Sequence, residues 1–256
     1  MRWLLLVALA GLGQAPALSG PLDVSKLNVE PPTAVTELDL GQMKGDLRQL
    51  AWSTDDSQIY IQTAEGDVSA PTLRHYIVPA SGGSPTKVDA APPWAIIFWD
   101  VKSGQSAPGV ASLPGSTPLV IEAQKKTEKE AGMSRVGRDG GFDSGQVSAA
   151  NDTSTTTQML VLKLLGETVG EISAAQPVPG MTFSWAPAGT GAIVYTDHNG
   201  RLLLFDQHKH KQTIAGVKEA TLPAWSTDGG RLAWAQKSGR RKYTLMTATI
   251  NLKPAI

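Results

Sequence analysis

The chain has 256 residues, enough for one large all-β domain, and its 23 Lys+Arg balance 23 Asp+Glu. A zero formal charge leaves no global field to attract nucleic acid or an anionic membrane. The absence of cysteine excludes disulfides, thiolate catalysis, Cys-ligated metal and a lipid-modified N-terminal cysteine, while 26 Gly and 17 Pro point to many turns and little long helix.

Residues 1–17 have the form of a secretory signal. Arg2 supplies the positive start, residues 3–12 the apolar stretch and Ala15-Pro16-Ala17 a small-x-small cleavage site. Gly11, Gly13, Gln14 and Pro16 interrupt the apolar run short of the roughly 20 residues that span a bilayer. The mature chain is therefore expected to begin near Leu18, exported to a bacterial periplasm or the medium, with no integral membrane segment left. Residues 18–33 are aperiodic and contain Pro and Ser, and read as a flexible lead-in. The alternation of Val35, Leu38 and Leu40 suits a short strand over 35–40.

From there the chain repeats itself. Ala51-Trp52-Ser53-Thr54-Asp55 and Ala224-Trp225-Ser226-Thr227-Asp228 align without a gap, each followed by three turn residues and an Ile or Leu that opens an alternating strand. Phe183-Ser184-Trp185-Ala186-Pro187 begins a third copy with one extra residue in its turn. Each unit continues alike: a strand (59–62, 193–196, 232–235), a Gly-containing turn, a third strand (73–78, 201–205, 243–250) and, in two units, a short fourth (86–88, 211–214). An interval of about 40–45 residues separates Trp52 from Trp94 and Trp185 from Trp225, which is the period of a β-propeller blade. Trp at the end of an innermost strand can wedge between neighbouring sheets, and the Asp-Gly or Asp-Asp pair accepts turn dihedrals that most residues resist. The fold expected is all-β: a small β-propeller of four-stranded antiparallel blades over residues 34–256, with four blades expected and five the rival count.

These residues resemble the propeller repeat of TolB-type, WD-like proteins, whose pattern runs Pro-x-Trp-Ser-Pro-Asp-Gly before an alternating strand. Pro223, Trp225, Ser226, Asp228, Gly229 and Leu232 match, with Thr227 in place of the motif Pro. Trp52, Ser53, Asp55 and Ile59 match with Asp56 replacing Gly, and Trp185, Pro187 and Gly189 match with Ala188 where Asp belongs. The resemblance implies a rigid, non-enzymatic scaffold whose loops bind a protein partner in the periplasm.

Between Trp94 and Trp185 lie about two blade intervals without a second Trp-turn motif. This span reads as one blade opened at Trp94, with a strand at 117–124, a polar insertion over 125–154 and strand character resuming at 159–165. The run of mixed charge from Lys125 to Glu130 reads as a solvated helix or loop. At the ends, the last repeat lacks an outer strand and the strand at 35–40 lacks a blade. The two are expected to pair, because an open ring would expose blade edges.

Candidate functional residues are few. Trp94, Ile96, Ile97, Phe98 and Trp99 fall within six residues and lead into a polar turn ending at Pro108-Gly109, so Trp94, Phe98, Trp99, Lys102 and Gln105 form the candidate partner-binding set. The competing reading is a blade strand with its packing. Trp52, Asp55, Trp185, Trp225, Asp228 and Gly229 are assigned to holding the repeat. Asp206, His208 and His210 share one alternation that a metal could use, but Lys209 sets a positive charge beside them, so a solvated turn and no metal or cofactor are expected. The 139–145 stretch is oxygen-rich but lacks EF-hand spacing. Lys237, Arg240, Arg241 and Lys242 read as edge-strand charge. There is no G-x-S-x-G elbow. The alternative to a scaffold is a propeller hydrolase, lyase or ligand-binding protein with its site at the central channel, and a His or paired carboxylates converging on the channel mouth would mark it.

Overall fold

Alternating apolar residues build the strands, and the repeat sets their order. In a computed structural model, residues 20–67, 70–95, 119–129, 154–172, 182–187 and 189–253 are described. A one-turn 3₁₀ helix (Val24–Lys26) leads into β1 (Leu27–Val29) and β2 (Thr33–Asp39), and a four-residue helix α1 (Leu40–Met43) links these to the first blade. The first blade is β3 (Asp46–Trp52), β4 (Gln58–Glu65), β5 (Thr72–Pro79) and β6 (Thr86–Val88), in that spatial order. The second is β7 (Leu119–Lys129), β8 (Ser154–Leu164) and β9 (Glu167–Ile172). The third is β10 (Phe183–Trp185), β11 (Ala192–Thr196), β12 (Leu202–Asp206) and β13 (Lys211–Thr213). The last contains β14 (Ala220–Trp225), β15 (Arg231–Gly239) and β16 (Lys242–Leu252). All pairings are antiparallel. The all-β fold of four repeated antiparallel sheets is thus the propeller type.

Three apolar clusters hold the blades face to face. One joins the third blade to the last (Val194, Leu204, Trp225, Leu232, Trp234), one the last to the first (Leu245, Ala233, Trp52, Ile59, Ile61), and one the third to the second (Phe183, Tyr195, Leu119, Leu162). Each motif Trp lies in, or packs against, the cluster between its own blade and the one on the same side: Trp52 towards the last blade, Trp225 towards the third, Trp185 towards the second. A constant sense of packing around successive repeats is what a ring of blades requires. Among the described residues no such cluster joins the first blade to the second, so the sheets do not close.

The outer edge of the last blade is covered from the N-terminus. β2 pairs with β16 from Asp39 opposite Lys242 to Thr33 opposite Thr247, and β1 continues along the same edge from Val29 opposite Ile250 to Leu27 opposite Leu252. Pro31 and Pro32 interrupt the ladder because neither has an N–H to donate, while Glu30 N still donates to Thr249 O at 2.9 Å. The strand expected at 35–40 therefore pairs with the segment expected for it.

Three expectations need correction. Residues 18–33 are not a loose lead-in: from residue 20 the chain is docked, with Leu22, Val24 and Leu27 buried between the third and last blades. Their spacing is aperiodic because they straddle a 3₁₀ turn capped by the Asp23 carboxylate, which accepts from Ser25 N. The charged run from Lys125 is strand as far as Lys129, because it pairs residue for residue with β8 out to Lys129 opposite Ser154. Any insertion thus begins after Lys129, and residues 130–153 lie outside the described residues. Trp94, expected to open a blade, is itself in no strand: it sits in a turn after β6, where Ala95 N donates to Pro92 O at 2.9 Å, and the next described strand is β7, with residues 96–118 outside the described residues.

Candidate partner-binding site

The Trp-Ser-Thr-Asp turns are built by one hydrogen-bond scheme used twice. Ser53 Oγ donates to Asp55 Oδ1 at 2.6 Å and accepts from Gln58 N at 2.9 Å, and Asp55 also accepts from Ser57 N. Ser226 Oγ donates to Asp228 Oδ1 at 2.6 Å and accepts from Arg231 N at 2.9 Å, and Asp228 accepts from Gly230 N. The residue after the Asp takes positive φ in both, 54° at Asp56 and 78° at Gly229. The hydroxyls of Ser53 and Ser57 hold the Asp55 carboxyl down to about 2.

The two turns also grip each other. Asp56 accepts from Thr227 N and Thr227 Oγ1, both at 3.1 Å, while Arg231 Nη2 donates to Asp56 O at 2.7 Å and its guanidinium lies 4.7 Å from the centre of the Trp52 ring. Burial pushes the Asp56 carboxyl up, and the nearby Asp228 charge adds to this. Burial also opposes ionisation of Asp228, but Ser226, Gly230 and Asp56 outweigh it and hold that carboxyl below its ordinary range. This carboxyl pair is engaged in joining the first and last blades. Trp52 adds a hydrogen bond across the same joint, from Nε1 to Ala224 O at 3.1 Å. Trp185 is only half-buried, and its Nε1 has no hydrogen-bond partner among the described residues.

The far face of the first blade departs from the pattern of the last. Both strand pairs keep one register, Trp52 opposite Ile59 and Trp225 opposite Leu232. Counting from these pairs, Tyr60, Gln62 and His75 stand where the last blade has Ala233, Ala235 and Leu245. The three are linked: Gln62 Nε2 donates to Tyr60 Oη at 3.1 Å, and Tyr60 Oη lies 2.6 Å from His75 Nδ1. Burial pushes the His75 imidazole down and the Tyr60 phenol up, which suits a neutral ring accepting from a neutral hydroxyl. Trp94 meets this face edge-on, its ring centre 6.2 Å from that of Tyr60 at 86°. Phe98, Trp99, Lys102 and Gln105 lie outside the described residues. In sequence, the only sign of this polar face is Tyr60 and Gln62 standing where the last repeat has alanines.

A second cluster ties down the N-terminal segment. His210 Nδ1 lies 3.0 Å from both Asp206 Oδ2 and Asp23 Oδ1, and these ligand-type atoms fall within 4.8 Å of one another. Sequence spacing brings Asp206 and His210 together but misses Asp23, which is distant in the chain. His208 joins through its backbone N–H, which donates to Asp206 Oδ1. The fully buried Asp206 also accepts from His210 N and Val24 N. Asp197 is arranged in the same way, accepting from Asn199 N and Arg201 N and pairing with the Arg201 guanidinium. His210 thus fills the place of Arg201, as the side-chain partner of a turn carboxylate.

No family model matches the chain, and no curated protein matches it. Solved structures with partial similarity include Chaetomium thermophilum Sqt1 bound to the N-terminus of ribosomal protein L10 (12% identity, TM-score 0.22, 80% of this chain and 46% of that one). Another is the Neurospora crassa Pan2 WD40 domain (11% identity, TM-score 0.26, 81% of this chain and 64% of that one). The chain spans less than half the length of the Sqt1 structure it matches. At such scores the superpositions carry no weight, and the blade assignment rests on the chain's own sheets and repeats.

Proposed function

We propose that this chain is an exported, non-enzymatic propeller scaffold of TolB-like type that holds a protein partner through the aromatic segment beginning at Trp94. The observation that carries this reading is the position of Trp94. In the other repeats the Trp at this interval ends an innermost strand and wedges between blades, whereas Trp94 lies in a turn, edge-on to Tyr60. Trp94 is thereby free of blade building, and in this reading it acts together with Phe98 and Trp99, since aromatic residues of this kind dominate partner-binding energetics. Lys102 and Gln105 supply the polar rim.

The test is affinity capture from a periplasmic extract of the source cell, using the mature protein as bait beside a Trp94→Ala/Trp99→Ala variant. The expected result is a protein retained by the wild type and lost from the variant while the variant's melting temperature stays within about 2 °C, since an interface change away from the core costs little stability. Equal capture by both baits, or none by either, contradicts the reading.

A further inference from the structure

The innermost strand of the first blade holds a charge that the fold does not use. Between Leu47, opposite Thr63, and Gln49, opposite Gln62, the strand gains one residue, and that residue is Arg48. A bulge of this kind re-aims a side chain and occurs preferentially beside functional sites. Arg48 Nη1 is shut off from solvent with no hydrogen-bond partner among the described residues, and across the bulge the fully buried Thr63 has an unpartnered Oγ1. By contrast, Arg74, Arg201, Arg231 and Arg241 each stand within 4.0 Å of a carboxylate. Burial pushes the Arg48 guanidinium down.

The repeat does not require an arginine here, because Thr221 holds the equivalent position in the gapless alignment of the last unit. Unpartnered donors recur at this level of the third blade: Thr182 and Thr196, adjacent across the β10–β11 pair, both have buried hydroxyls without a partner. Arg48 is half-buried, and a desolvated guanidinium N–H left without a partner costs free energy that an anion bound there would recover. Its planar fork matches the two oxygens of a carboxylate or phosphate.

We propose that Arg48 forms an oxyanion-binding site at the inner edge of the first blade. The group it takes is a carboxylate or a phosphate. The inference is independent of the Trp94 surface and stands or falls by itself.

The test is thermal unfolding of the mature protein at pH 7 and constant ionic strength. It is run in chloride alone and then with acetate, inorganic phosphate or the peptide Gly-Gly-Asp, for the wild type, Arg48→Met and Arg48→Lys. The wild type is expected to gain about 5–10 °C at a hundredfold excess over Kd, saturably. A response to acetate and the peptide assigns a carboxylate, and a response to phosphate alone assigns a phosphate. Arg48→Met is expected to melt no lower than the wild type in chloride and to lose the response, and Arg48→Lys to keep only part of it. The proposal is overturned if Arg48→Met melts lower than the wild type in chloride or fails to fold, which makes the arginine structural. It is overturned equally if no anion shifts the wild type, or if Arg48→Met responds as the wild type does.

Discussion

Trp225 is held by two kinds of force at once. Its ring fills the cluster between the third and last blades, and its Nε1 donates to Gly229 O at 2.8 Å, so the same side chain joins two blades and closes its own turn. Removing such a ring leaves a cavity that a packed sheet interface cannot collapse, and Trp225→Ala is expected to lower unfolding free energy by about 3–5 kcal/mol, read from urea denaturation. An unchanged midpoint would contradict the packing described. Trp185→Ala is expected to cost less, since that ring is half-buried and its N–H has no partner among the described residues. The Trp-turn residues were legible because each acts within a few residues of itself: Ser53 with Asp55, Ser226 with Asp228. Arg48 and Asp23 were not. A lone Arg near the start of a strand reads as surface charge until a bulge places it, and Asp23 meets His210 only through the docking of a distant segment.

The N-terminal segment shows how an element can be half legible. β2 carries two apolar residues, Val35 and Leu38, that pack on the cluster between the first and last blades, with Leu38 fully buried, and it could be read directly. β1 has three residues and follows a 3₁₀ turn, so no period announces it. It is ordered by tertiary contacts alone: Leu27 in the cluster between blades, Val24 N on Asp206 and Leu22 N on Thr190 O. Because Leu27 is fully buried, Leu27→Ala is expected to destabilise by about 2–5 kcal/mol. A loose leader would tolerate the change within about 0.5 kcal/mol, and chemical denaturation separates the two outcomes. The polar end of β7 escaped sequence reading for a related reason. Its residues from Lys125 to Lys129 show no apolar alternation in sequence and are strand because Ser154–Gln158 pair with them.

At the scale of the molecule, the last blade takes strands from both ends of the chain, and its neighbours fasten to it on either side. Trp52, Asp56 and Arg231 lock the first blade to it, while Trp225 and the N-terminal segment lock the third. The closure of the last blade therefore depends on a pairing between residues about two hundred positions apart. Because the chain has no cysteine, that pairing can be tested with a single introduced pair. Glu37 stands directly opposite Thr244, and opposed residues of antiparallel strands lie about 4.5–5.5 Å apart at Cα, within disulfide reach. Oxidation of Glu37→Cys/Thr244→Cys should give an intramolecular disulfide in the monomer and raise the denaturation midpoint, with a chain-entropy limit of about 5 kcal/mol. Glu37→Cys/Thr249→Cys, out of register, should stay reduced. A first pair that remains reduced, or that links only separate molecules, would contradict the closure of the last blade by the N-terminal strand.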